Sequence, residues 1–221
     1  AYDPDHGYVN HDDSRIALTY AGFKNGSDAE LSMRYAYQHI RLLFYSGQHE
    51  AVISFFEDEI ASTPNGTFKE WCRMFYGGSL FAFGRNAEAF SAYAVVFHRS
   101  SRYSYRARES IKWIYRAYIS AFESEYWNGL DYTDPDYYAK YEKLYSNYNP
   151  MLRKYVAGFL ENELPEQLPE DEKALVNSTL AYLNGDTAEG LASGLVMVAV
   201  GGEAPPDLEQ FLAVSIGDLG Y

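Results

Sequence analysis

Chemistry in a protein needs histidines, cysteines, carboxylates or hydroxyls held in fixed register, and the chain carries few such groups. His6 and His11 with Asp12 and Asp13 form the densest set of metal-type donors among its five histidines. They stand in a polar stretch with no pattern to preorganise them, which a metal or catalytic centre requires. His39 and His49 flank apolar helical patterns, and His98 ends one, where a positive charge suits the helix dipole. Cys72 is the sole cysteine, so an intrachain disulfide and a cysteine zinc cluster are excluded. It follows Trp71 in an apolar run, the setting of a buried, inert thiol. No His-Glu-x-x-His, phosphate-cradling glycine loop, Gly-x-Ser-x-Gly elbow or Cys-His pair occurs. The expectation is a chain without catalytic residues, metal or cofactor, and not an enzyme.

Carboxylates do cluster, at Glu57-Asp58-Glu59 and at Asp131, Asp134 and Asp136. Acidic runs at helix ends are most simply solvated faces or dipole partners. The second group is different, because Trp127 and Tyr132 stand beside Asp131 and Asp134 on a loop from Trp127 to Pro135. Aromatic and acidic groups together on a loop can hold a sugar or a basic side chain. The plainer alternative is a solvated interhelix loop.

The elements that would position these groups are helices. Two stretches, Arg34–Phe56 and Trp71–Tyr93, share one pattern: an amphipathic run, a Gly-x-x turn, and a second amphipathic run. Their turn glycines, Gly47 and Gly84, are 37 positions apart, within the range of helical-hairpin repeats. Residues 1–27 read as a polar arm with one short helix near Ile16–Ala21. Ser27 or Asp28 then caps a helix to about Ser46, with Glu30 placed for a capping box. Gly47 fits a left-handed helix stop. A second helix runs from His49 to Ala61, ended by Thr63-Pro64-Asn65-Gly66. Phe68–Phe83 and Ala87–His98 form the next hairpin, where Gly77 and Ala89 are expected to sit at a close helix contact.

Further on, Ser104–Ser124 carries Arg102, Arg106, Arg108, Lys112 and Arg116 in or beside it, the one dense basic stretch. Asp136–Tyr148 and Met151–Leu164 read as two helices broken at Asn149-Pro150. Pro165 and Pro169 bracket a linker to a last hairpin, Lys173–Leu183 and Ala188–Val200, closed by a small helix at 207–217. The expected organisation is an arm at 1–27, a helical-repeat domain at 28–164, and a C-terminal hairpin and cap at 165–221. Strand-type alternation is nearly absent, so the fold class is all-α.

At these positions the chain resembles the tetratricopeptide repeat. The second hairpin supplies Gly77, Gly84, Ala89 and Tyr93 in the motif's order; the first supplies Gly47, Phe56 and Pro64, with Val52 where alanine is usual. It is also similar to bacterial envelope-type helical-repeat proteins of unestablished function. The resemblance implies stacked antiparallel hairpins in a short right-handed αα superhelix, a fold that holds partners and does no chemistry.

Bulk properties narrow the partners. The 221 residues carry a formal charge of −13. Phosphate backbones and anionic bilayers repel such a chain, so nucleic acid is excluded as an expectation and a basic or neutral protein or peptide is favoured. Tyrosine is unusually frequent, with 22 copies. It serves half-buried grooves and interfaces, or else fills gaps between thin helical layers. The longest apolar stretch, Gly194–Gly202, is too short for a transmembrane span. The start at Ala1, with neither initiator Met nor leader, suggests an extracytoplasmic chain, periplasmic or at the cell surface; the alternative is cytoplasmic.

Three functional readings follow: a noncatalytic scaffold for a protein or peptide, a carbohydrate-binding accessory module, and, weakest, an enzyme. The scaffold's candidate contact residues are Arg34, Tyr37, Gln38, Arg41 and Tyr45, then Arg73 and Tyr76, on the first helix of each hairpin. Arg34, Arg41 and Arg73 side by side would form a positive strip able to take carboxylates. The competing account is that they pair with Glu50, Glu57 or Glu70 and hold the hairpins in register. The candidate ligand loop is Trp127, Asp131, Tyr132 and Asp134.

Overall fold

The computed structural model describes residues 2–3, 7–8, 13–166 and 168–184. The expectations for His6, His11 and Asp12, for the hairpin beyond Asn184 and for the closing helix at 207–217 lie outside the described residues. Tyr2–Asp3 (β1) and Gly7–Tyr8 (β2) pair antiparallel, Tyr2 opposite Tyr8. The remaining elements are helical: α1 Asp13–Lys24, α2 Ala29–Tyr45, α3 His49–Phe55 and α4 Thr67–Ala82, then α5 Asn86–Arg99, α6 Ser104–Tyr126, α7 Tyr137–Glu163 and α8 Glu170–Asn184. The protein is all-α, built from packed helix pairs.

The chain forms two compact units, 1–108 and 109–221. The division falls within α6; α1 packs on α2, and α8 on α7.

In the first unit, the Asp28 carboxylate accepts from the Leu31 amide at 2.8 Å and opens α2. Glu30 does not close a capping box; it takes the Arg34 guanidinium instead, at 2.6 Å. Gly47 and Gly84 both adopt positive φ, 73° and 72°. Around them the backbone bonds repeat residue for residue. Gly47 N–H donates to the Phe44 carbonyl and Gln48 N–H to that of Leu43; Gly84 N–H donates to Phe81 and Arg85 N–H to Leu80. These are two Schellman stops, 37 residues apart, that satisfy the last carbonyls of α2 and α4.

The helix read as His49–Ala61 changes pitch half-way. After Phe55 it widens into a π turn, Phe56–Ile60, closed by Ala61 N–H on the Phe56 carbonyl at 2.8 Å. The turn buries Phe56 and Ile60 and leaves Glu57 and Asp58 outside. Lys69 Nζ then donates to the carbonyls of Ala61 and Thr63, at 2.7 and 2.6 Å.

α4 lies against α2, α3 and α5. Its paired glycines permit this. A Cβ on Gly77 would lie 2.9 Å from Tyr93 Cε1 and 3.3 Å from Ala92 Cβ, and one on Gly78 would lie 2.8 Å from Phe44 Cε2. The close contact expected between Gly77 and Ala89 is thus made by Gly77 with Ala92 and Tyr93, one turn further along α5. Ala89 is itself fully buried.

In the second unit, Ile114 and Phe122 of α6, Val156 and Leu160 of α7, and Leu175 and Val176 of α8 are buried. α7 runs through Pro150 without a break, contrary to the two helices read from Asn149-Pro150. An interior proline costs about 3 kcal/mol. Here the ring of Phe122 holds both sides of it, 5.5 Å from Tyr148 and 5.4 Å from Tyr155. Packing of this apolar stripe overrides the local signal.

Candidate functional site

The first unit carries one continuous aromatic cluster. Trp71 stands edge-on to Tyr37, Phe68 and Tyr103, with centroids at 5.1, 4.9 and 6.1 Å. The hydroxyls of Tyr37 and Tyr103 meet at 2.6 Å. Four guanidinium groups lie over these rings: Arg34 over Phe68 at 5.5 Å, Arg41 over Tyr37 at 5.4 Å, Arg102 over Trp71 at 4.5 Å, and Arg106 over Tyr103 at 5.9 Å. Each contact of this kind stabilises by about 0.5–1 kcal/mol where exposed. Arg34 also pairs with Glu30, and Arg41 donates to the Gln38 amide oxygen at 3.3 Å. Among the described residues, Arg102 and Arg106 meet no carboxylate. Burial, and then the Tyr103 hydroxyl, push the Tyr37 phenol well above its ordinary pKa, while Arg41 and Arg102 pull it back.

Of the residues read as one contact strip, Arg34, Tyr37, Gln38 and Arg41 share this face, but Tyr37 is buried beneath it. Arg73 is elsewhere. It is buried, donates to Glu70 Oε2 at 3.1 Å and lies over the Phe56 ring. Arg99 approaches the other Glu70 oxygen at 3.6 Å. Tyr76 stacks on Phe56 at 4.3 Å and donates to Glu57 Oε1 at 3.0 Å. Tyr45 is half-buried against Phe44 and Phe75. The helical stripe on α2 and α4 is wider than an i, i+4 ridge, so these positions go into packing. What completes the positive face is Arg102 and Arg106, which the sequence shows as a basic stretch with nothing to say which helix it meets.

In the second unit, the candidate loop carboxylates are turned to the loop's own backbone. Asp131 Oδ1 accepts from the Thr133 amide and hydroxyl, both at 2.8 Å; Asp134 accepts from the Asp136 amide at 2.8 Å and pairs with Lys140. These bonds hold both carboxyls below the usual range, through Thr133 for Asp131 and chiefly Lys140 for Asp134. Trp127 lies nearly parallel to Tyr141 and Tyr148, at 5.8 and 5.7 Å. Tyr132 is 83% exposed and adjoins Tyr137 at 5.0 Å. The series continues along α7 from Tyr137 to Tyr141 to Tyr145, at 6.1 and 5.9 Å. Tyr138 and Tyr145 are 81% and 67% exposed. Between α6 and α7 lies a groove of about 610 Å³ lined by Phe122, Tyr126, Met151, Tyr155 and Phe159, with Lys154 and Glu163 among its polar residues.

Among the described residues, the three histidines and Cys72 are engaged in packing or hydrogen bonds. His39 Nδ1 lies 3.1 Å from the Ile16 carbonyl and 3.2 Å from Thr19 Oγ1, and burial lowers its pKa. His49 Nδ1 lies 3.1 Å from Ser79 Oγ. Burial, with Arg99 beside it, lowers His98 to about 4, and burial raises the Cys72 thiol. Among the described residues no group of three or more His, Cys, Asp or Glu is placed to hold a metal, and no helix is long and apolar enough to cross a membrane.

Comparison of the chain with protein-family models, with curated proteins and with solved structures returns no match.

Proposed function

We propose that the protein is a noncatalytic helical-repeat scaffold that holds a protein or peptide segment, with its first two hairpins stacked in the tetratricopeptide manner. The observation that carries this reading is the exposed aromatic series Tyr132, Tyr138, Tyr141 and Tyr145, on α7 and the loop before it, in the second unit, whose α7 also lines an apolar groove further along. Tyrosines that served only as filler between helices would be covered. Tyrosine offers large contact area at small entropic cost, and large exposed apolar groups cluster where partners dock. The two matched Schellman stops support the repeat.

The experiment is quantitative capture of partners from a native extract, using the whole chain and a Tyr138→Ser/Tyr141→Ser/Tyr145→Ser variant. Melting temperature is followed in parallel. The reading expects partners to be lost while melting changes little. Full retention of partners overturns it.

Carbohydrate binding is the second reading, resting on Trp127 and Tyr132 at the loop. It ranks lower because Asp131 and Asp134, the groups that would bond sugar hydroxyls, already serve Thr133, Asp136 and Lys140. Soluble glycans retarding the protein in affinity electrophoresis, with peptides inert, would reverse the order.

A further inference from the structure

The aromatic cluster of the first unit carries a concentration of positive charge that its own fold consumes only in part: Arg34 pairs with Glu30 at 2.6 Å, whereas Arg102 and Arg106 meet no carboxylate among the described residues. The chain has 18 Lys and Arg against 31 Asp and Glu, so an arginine has many carboxylates to choose from. Arg73 and Arg85 each take one or more: Glu70 for the first, Glu57 and Glu88 for the second. Arg102 and Arg106 take none among the described residues, although both are exposed. Arg102 rests at 4.5 Å on Trp71 and 5.6 Å on Tyr103, and Arg106 at 5.9 Å on Tyr103. Arg41 adjoins them: it lies over Tyr37, and its charge and that of Arg102 both act on the Tyr37 phenol. Arg34 completes the set over Phe68.

A guanidinium resting on an aromatic ring has lost part of its side-chain freedom already. Its N–H fork is then available to a carboxylate at reduced entropic cost. Several such forks over one rigid cluster match closely spaced carboxylates on a single segment. The rest of the molecule is strongly acidic. Beyond the four arginines the chain has 31 Asp and Glu against 14 Lys and Arg, a net charge that opposes a long polyanion more than a short acidic segment.

We propose that the face formed by Arg34, Arg41, Arg102 and Arg106 over Tyr37, Phe68, Trp71 and Tyr103 is a binding site for a short carboxylate-rich peptide segment. This rests on the scaffold reading and names the chemistry of one partner.

The test is fluorescence anisotropy on the whole chain with a labelled peptide of alternating Glu and Phe. The controls are the same peptide with Gln for Glu, a single-stranded oligonucleotide, and phosphatidylserine vesicles. The acidic peptide should bind and weaken as salt rises, while the Gln peptide should not bind. Arg102→Ala/Arg106→Ala should weaken the acidic peptide by about tenfold or more. Both side chains are exposed, so this variant keeps the fold, and its melting temperature confirms that. Arg102→Lys/Arg106→Lys, which keeps the charge but loses the fork, should fall between the two. Equal binding of the acidic and Gln peptides, or unaltered binding by the alanine variant, overturns the proposal and leaves the arginines as covers for the rings. Tighter binding of the oligonucleotide or the vesicles also overturns it. Substitutions on α7 test the scaffold reading separately, because they change none of the residues of this face.

Discussion

The hydroxyl of Tyr37 on α2 lies 2.6 Å from that of Tyr103, which precedes α6 and stands 66 residues later in the chain. Both side chains are buried, at 4% and 5% exposure, so each phenol is the other's means of satisfying a polar group away from water. This bond sits directly beneath Arg41 and Arg102 and fixes the rings on which they rest. Tyr37→Phe should leave the Tyr103 hydroxyl without that partner and cost about 1–3 kcal/mol, whereas Tyr37→Phe/Tyr103→Phe should be close to neutral. Urea unfolding of the two variants checks this. A double variant no more stable than the single one would show that the bond carries no such coupling.

The contact between α4 and α5 at Gly77 should tolerate no side chain. A Cβ there would sit 2.9 Å from an aromatic carbon of Tyr93, itself buried, so the helices would have to part. Gly77→Val should destabilise by about 1–3 kcal/mol, the usual range for overpacking, and Ala89→Leu should fall in the same range. Thermal unfolding followed by circular dichroism measures both.

Stability should fall as the solution is acidified through the histidine range. His98 has an ordinary pKa of 6.5 unfolded and about 4 folded, lowered by burial, and His39 is lowered in the same direction. Between those values the unfolded chain binds a proton that the folded chain does not. The stabilisation is therefore complete above pH 6.5 and lost as pH drops toward 4, with a slope of up to about 1.4 kcal/mol per pH unit for one group. His98→Gln should flatten the profile in that window relative to the wild type. Identical slopes would mean that His98 does not titrate in this way.

The helices were legible because their signals are local. Asp28, Gly47 and Gly84 each act through bonds to residues within five positions, and all three stand where cap chemistry puts them. Pro150 misleads for the complementary reason: the reading weighs a lost backbone bond, while the outcome depends on Phe122, nearly thirty residues earlier, packing against rings on both sides. The candidate contact face was half legible. Arg34, Gln38 and Arg41 are neighbours on one helix, so spacing groups them. Arg102 and Arg106 join only through Trp71 and Tyr103, a tertiary meeting that no periodicity encodes. Burial of Tyr37 and Arg73 was missed because a polar tip on a long side chain reads as exposed unless its partner is known.

Arg73 gives the last prediction. With Glu70 it forms an ion pair whose side chains are 8% and 3% exposed, and Arg99 stands 3.6 Å from the second carboxylate oxygen. Glu70 thus sits between two guanidinium groups, with Arg73 laid over the Phe56 ring of the π turn. Removing the carboxylate leaves two cations facing each other at low dielectric. Glu70→Gln should therefore cost about 3–5 kcal/mol, the range for breaking a buried pair. Truncating the arginine instead leaves Glu70 with Arg99, so Arg73→Met should cost less. Replacing both, as Glu70→Leu/Arg73→Met, removes the two charges of the pair together, leaves Arg99 as the remaining cation, and should recover part of the loss, because apolar packing often equals or exceeds a buried pair. The comparison is made by urea unfolding at neutral pH. If the double variant were as unstable as Glu70→Gln, the pair would be stabilising in its own right, beyond the penalty of leaving one charge unmatched.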